Sequence, residues 1–293
     1  MICKTWERVA LAVMAALVVA IFAAPGAQAD PILTVTNGDF AQYTGVTPGT
    51  NNDYFTNVNP TGWTGGGNLI FVTSYTGINN PSLYLPVYGP TAGQTASIPA
   101  NPFPNSPIGG NFVEADANPD YEDSFSYQLS GLTPGQTYQL SFFVAYGEQT
   151  GFSSPGGMTN QWLVGLGVPG SVFSTTSIGG GYDSYSYSDP NGSVATTPLT
   201  SVPNEGVSPW QQVTVYLTAD AANDVLTFLA WGNNGSTSNV PPIAFLDIGG
   251  NGNLTAATPT PPVAAGGLVL LVVVMVGFGA NRLRRRRSNP GAV

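Results

Sequence analysis

Carboxylates and amides in "EADANPDYED", residues 114–123, make the densest run of potential ligands in the chain. Asp116, Asn118, Asp120 and Glu122 fall at alternate positions, as in the first half of a calcium-binding loop, where hard oxygen donors surround the ion. The complete EF-hand pattern is not met, because Tyr121 stands at its glycine position and Tyr127 at its bidentate glutamate position. The other reading of this run is an acidic loop between strands. Hydrolysis by paired carboxylates needs only Asp or Glu at a defined separation, and Glu114, Glu148 and Glu205 are the candidates for it. None of the three sits in a recognisable motif. Sugar binding uses aromatic faces with amide and carboxylate partners. Trp231, Asn233 and Asn234, with Tyr182 and Tyr185 from a tyrosine-rich stretch, are the candidates for that chemistry. The competing reading places Trp231 in the core, since aromatic side chains carry much of a protein's buried area.

Charge removes several function classes. The basic residues are Lys4, Arg8, Arg282, Arg284, Arg285, Arg286 and Arg287, so residues 30–281 hold no Lys or Arg, and the chain has no His. Glu7 is the one acidic residue outside that span, which leaves fifteen carboxylates within it. A surface without cations cannot track phosphates, which excludes nucleic acid as a partner. The P-loop lysine, histidine-based zinc sites and nucleophilic triads are excluded in the same way. The single cysteine is Cys3, so the remainder has no disulfide and no thiol nucleophile. These absences point to a protein without enzymatic activity.

The elements that must hold the candidate residues read as strands. In "FSYQL", Phe125, Tyr127 and Leu129 alternate with polar residues; in "YQLSFFVAY", Tyr138, Leu140, Phe142 and Val144 share a face. "LTPGQT" between them reads as a hairpin turn. In "WQQVTVYL", Val213, Val215 and Leu217 alternate with Gln212, Thr214 and Tyr216. "WLVGLGV", "VLTFLAWG" and "IAFLDI" are more uniformly apolar and suit strands covered on both faces. Residues 177–193, of low complexity, read as a long loop. Short strands and Gly/Pro-rich turns predict an all-β fold, an antiparallel β-sandwich or jelly roll, over residues 30–256.

Both ends carry membrane signals. Residues 1–29 have a basic start, an apolar run from Val9 to Ala24 and "AQA" before Asp30, the pattern of a cleaved signal peptide. Residues 257–262 form a Pro/Thr stalk. Residues 263–280, "VAAGGLVLLVVVMVGFGA", contain no charge. As a helix they would extend about 27 Å, close to the thickness of a bilayer's hydrocarbon core. The arginines of 281–293 then form a tail that stays on the cytoplasmic side. The expectation is an exported, single-pass protein of the cell envelope or surface, with one C-terminal transmembrane helix in the lipid bilayer.

This layout resembles bacterial exported proteins with a PEP-CTERM sorting signal. "NGDF" at 37–40 with "GW" at 62–63 is similar to the start of galactose-binding-like jelly rolls. Segments 109–145, 210–232 and 241–248 are similar to stretches common in such exported proteins. "TPTPP" stands at 258–262 where the family carries Pro-Glu-Pro. The resemblance implies sorting through the span and Arg282, Arg284, Arg285, Arg286 and Arg287 by an exosortase-type processing enzyme. It also implies association with extracellular polysaccharide. In galactose-binding-like modules an acidic residue after the "NGxF" phenylalanine joins an Asp of the last strand at a structural calcium. Here those positions are Ala41 and Asp247.

Overall fold

The "WQQVTVYL" alternation has the spacing of a strand with one face in a core and the other in water. The structure, a computed structural model, describes residues 33–257 apart from 51, 68, 80–84, 98, 119–123, 153–156, 178–182 and 234–241. Residues 1–29, expected to be a signal peptide, the apolar run 263–280 and the arginine cluster lie outside the described residues, among which no helix is long and apolar enough to cross a membrane. The chain divides into two units, Met1–Ala256 and Ala257–Val293, and every element below belongs to the first.

All strand pairing among the described residues is antiparallel. One sheet runs β1 (Leu33–Gly38), β15 (Gly249–Ala256), β6 (Thr137–Glu148), β14 (Pro242–Asp247), β4 (Asn111–Asp116) and β3 (Ile70–Ser74), with β12 (Gln211–Thr218) on the free edge of β6. The other runs β10 (Ser193–Thr196), β7 (Met158–Gly167), β13 (Val225–Asn233), β5 (Ser124–Gln128) and β2 (Trp63–Gly65), with β11 (Thr200–Val202) also on β7. A separate two-stranded ribbon pairs β8 (Phe173–Ser177) with β9 (Asp183–Tyr187). Two four-residue helices, Phe55–Val58 and Tyr75–Ile78, flank β2 and β3.

The main core lies between the two sheets. Val213, Val215 and Leu217 of β12 enter it while Gln212, Thr214 and Tyr216 stay exposed, as the alternation requires. Tyr138, Leu140, Phe142 and Val144 of β6 enter it too. Phe125 of β5 and Phe228 of β13 stack at its centre, with ring centroids 5.5 Å apart and planes 17° apart. Each such side chain, fully removed from water, stabilises the fold by about 1.5–3 kcal/mol. Trp63 packs on Phe125, and its indole N–H donates to the Asn37 carbonyl at 3.0 Å. The "NGDF" and "GW" segments are tied together by this bond. The Asn37 side-chain amide adds two more, donating to the carbonyls of Gln42 and Thr61.

Two further apolar layers explain the uniformly apolar strands. Ala244 and Leu246 of β14 face the main core, while Ile243 and Phe245 face a second cluster on the outer side of the first sheet. Leu163 and Leu229 face a third cluster under the β8–β9 ribbon.

The sequence reading departs from the fold in two places. Pro134-Gly135 does form a turn, since the Gln136 N–H donates to the Thr133 carbonyl and Gly135 has φ 79°. The turn does not close a hairpin, because β5 and β6 lie in different sheets. Both strands have an apolar face, and the two faces meet the same core from opposite sides. The stretch 177–193 is not wholly loop, because β9 pairs with β8 within it. Tyr185 and Tyr187 give it a period-two pattern, and Phe173 holds Tyr187 at 4.8 Å.

Candidate functional site

The connection from β14 to β15 builds a cleft. Between the pairs Asp247–Phe143 and Leu254–Leu140, six residues (248–253) stand against two, Ser141 and Phe142. The surplus leaves β6 and pairs with β1 instead, Gly249 opposite Gly38 and Asn251 opposite Thr36. "GGNGN" permits this path. Gly249 has φ 81°, a region that side chains other than glycine's rarely adopt, and a side chain at Gly252 would run into Ile248. The strand parting leaves a cleft of about 570 Å³. Asp39, Ser141, Gln212, Asn251 and Asn253 bring hydrogen-bonding groups to it, and half-buried Phe143 adds an aromatic surface. Ser141 and Thr214 share a 2.6 Å hydroxyl hydrogen bond beside it.

Asp39 lines the cleft, and its charge acts on Asp247, the last residue of β14. Asp247 is fully buried, its Oδ1 accepting the Gly249 N–H at 2.9 Å. Its Oδ2 has no hydrogen-bond partner among the described residues. Burial pushes this carboxyl up to about 6; the Ser106 hydroxyl and the Gly249 N–H oppose the shift, and the Asp39 charge adds to it. Ala41 offers no side-chain oxygen. Asp39, two residues earlier, is the carboxylate whose charge reaches Asp247.

No protein-family model matches the sequence, and no curated protein matches it. Among solved structures the chain is similar to TmCBM61, determined in complex with β-1,4-galactotriose: 11% identity, 72% of this chain and 100% of that one, TM-score 0.31. It is similar to the K1 cleaved adhesin domain of Lys-gingipain from Porphyromonas gingivalis W83, with 11% identity, 78% and 99% of the two chains and a TM-score of 0.34. The enzymatically active domain of bacteriophage CBA120 tailspike protein 4 matches at 12% identity over 70% of this chain and 21% of that chain, with a TM-score of 0.30.

The candidate residues read from the sequence scatter over several places. Asp116 ends β4 and is buried, with the Asn118 N–H donating to its Oδ1 at 2.8 Å. Burial pushes its carboxyl up to about 7, against that hydrogen bond. Glu114 to Asp116 are therefore interior strand and Asn118 is buried just beyond it, so neither is a solvated loop; Asp120 and Glu122 lie outside the described residues. Asp116 pairs with Ile243, four residues along β14 from Asp247, or about 13 Å. The two do not meet. Among the described residues no three carboxylates gather where they could hold a metal.

Tyr185 and Trp231 do meet, with ring centroids 5.3 Å apart at 72°, over the third apolar cluster. Tyr185 is 39% exposed and Trp231 half-buried. Asn233 is the last residue of β13, whereas Asn234 and Tyr182 lie outside the described residues. Of the hydrolase candidates, Glu148 is fully buried and accepts the Glu205 N–H at 2.7 Å. Glu114 and Glu148 lie opposite Phe245 and Pro242 on the two strands that flank β14, an offset of about 10 Å along the strands with two strand spacings between them as well.

The cleft residues Asp39, Gln212, Asn251 and Asn253 escaped the sequence reading. The available signal was "GGNGN" directly after the apolar strand "IAFLDI", since three glycines among amides mark a strand that must bend away.

Proposed function

We propose that this chain is a non-enzymatic exported envelope protein whose β-sandwich binds neutral polysaccharide in the cleft between β1, β6 and β15. The observation that carries this reading is the lining of the cleft. Two amides, an amide-bearing β12 residue, a hydroxyl and a carboxylate share the lining with an aromatic side chain, and no cation lies among them. Sugar hydroxyls both donate and accept hydrogen bonds, which suits Asn and Gln, while the C–H faces of a sugar ring suit Phe143. An anionic polymer would be repelled, because the exported span carries only acidic charge. Export through residues 1–29, retention by 263–280 and processing through the arginine cluster complete the proposal. A calcium ion at Asp247 and Asp39 would brace the cleft's end.

Affinity electrophoresis against a panel of neutral polysaccharides tests the binding. The double variant Gln212→Ala/Asn251→Ala should lose retardation and keep its melting temperature, because exposed substitutions change stability by about 0.5 kcal/mol or less. Full retardation of the double variant, or none of the unaltered chain, refutes the assignment. Loss in Tyr185→Ala alone would move the site to the Tyr185–Trp231 pair. Membrane fractionation with and without residues 263–287 tests retention; equal soluble release of both forms would sink it.

A further inference from the structure

A second, smaller feature lies on the outer side of the first sheet, away from the cleft. Glu114 in the middle of β4 is flanked by Phe71 of β3 and Phe245 of β14, its partners across the two ladders. Its side chain is 3% exposed, and its Oε1 has no hydrogen-bond partner among the described residues. It borders a small space of about 10 Å³ together with Asp53, Thr73, Phe71, Ile78 and Leu85. That volume is about what one water-sized sphere occupies. Asp53 is 4% exposed. Its Oδ2 accepts the Gly49 N–H at 2.9 Å, and its carbonyl accepts the Val72 N–H, so the carboxylate is fixed at the rim.

Two buried carboxylates beside one small cavity need positive charge or a proton. Most proteins would supply an Arg or Lys, but residues 30–281 contain no Lys, Arg or His. A single proton would neutralise one acid and leave the other charged. We propose that this cavity is a binding site for one calcium ion, held by the Asp53 and Glu114 carboxylates and the Thr73 hydroxyl. The donors are all oxygen, the preference of a hard divalent cation, and two bidentate carboxylates with one hydroxyl supply about five of the six to eight oxygens calcium takes. A cation here satisfies the orphaned Glu114 oxygen and removes the repulsion between the acids together. Without it, burial and the Asp53 charge push the Glu114 carboxyl well above its ordinary range, so the empty site would trap a proton instead.

The full-length chain, purified in mild detergent and stripped with EGTA, tests this. Calcium chloride alone is the ligand, with bound ions counted by native mass spectrometry and melting followed in parallel. Glu114→Gln has the shape of the neutral acid, and Asp53→Asn keeps the acceptor for Gly49, so either variant serves should the other fold poorly. Each should bind one calcium fewer than the unaltered chain and lose the matching calcium-dependent rise in melting temperature. An unaltered chain that binds no calcium overturns the proposal, as does a full count in either variant. Calcium held at Asp247 is counted in all three chains and leaves the comparison intact.

Discussion

Replacing Asp116 by Asn removes a carboxyl that the fold holds in its neutral form. Burial pushes Asp116 from 3.8 up to about 7. The folded chain therefore binds this proton more tightly than the unfolded chain does. The resulting stabilisation is complete below about pH 4 and is lost as pH rises through about 7. Each unit of difference corresponds to about 1.4 kcal/mol, so the full contribution is about 4 kcal/mol, of which about 3 kcal/mol disappears between pH 5 and pH 8. Asp53 and Asp247, both pushed to about 6 mainly by burial, act with the same sign. No paired lysine or histidine opposes them, since residues 30–281 have neither. Urea unfolding followed by tryptophan fluorescence, in EGTA, should show the unaltered chain weaker at pH 8 than at pH 5. Asp116→Asn should reduce that difference by about 3 kcal/mol, or roughly 10 °C in melting temperature for a domain of this size. An unchanged pH slope in the variant, or a chain that grows more stable toward pH 8, would refute the burial argument.

The remaining tests concern the core. Phe228→Ala should cost about 3–5 kcal/mol in urea unfolding, because the ring stacks on Phe125 and lies edge-on to Phe142 at 5.7 Å with no solvent exposure. Trp63→Phe keeps most of the packing and removes one of the two hydrogen bonds to the Asn37 carbonyl, which still accepts the Phe40 N–H at 3.1 Å; a loss of about 0.5–1.5 kcal/mol is expected from the same assay. A loss near zero would mean that the "NGDF"–"GW" tie adds little.

Strand identity was legible wherever one face is wet. Val213, Val215 and Leu217 sit in the core and Gln212, Thr214 and Tyr216 outside it, as their alternation states. The even runs around Phe228 and Phe245 signalled strands covered on both sides, and the second and third apolar clusters supply those covers. The turn at Pro134-Gly135 was equally readable, but its consequence was not. A turn sets the local chain direction; which sheet the next strand joins depends on β12 and β13, some seventy residues and more downstream.

The candidate sites were less legible for the same reason. Oxygen-bearing side chains at alternate positions 116–122 have the spacing of a calcium loop, and spacing is visible in sequence while burial is not. Asp116 proved to be the end of an interior strand. Tyr185 and Trp231 were named for their type alone, and the ribbon β8–β9 brings their rings to 5.3 Å.

By itself the sequence determined the all-β character, the turn positions and the absence of any basic group between residues 30 and 281, because periodicity and composition are properties of neighbouring residues. The tertiary structure alone decided three things: the division of strands between sheets, the parting of β15 from β6 that opens the cleft, and the burial of Asp53 beside Glu114. Each of these depends on contacts between residues far apart in the chain, and the pairing that brings them together is chosen by the core as a whole.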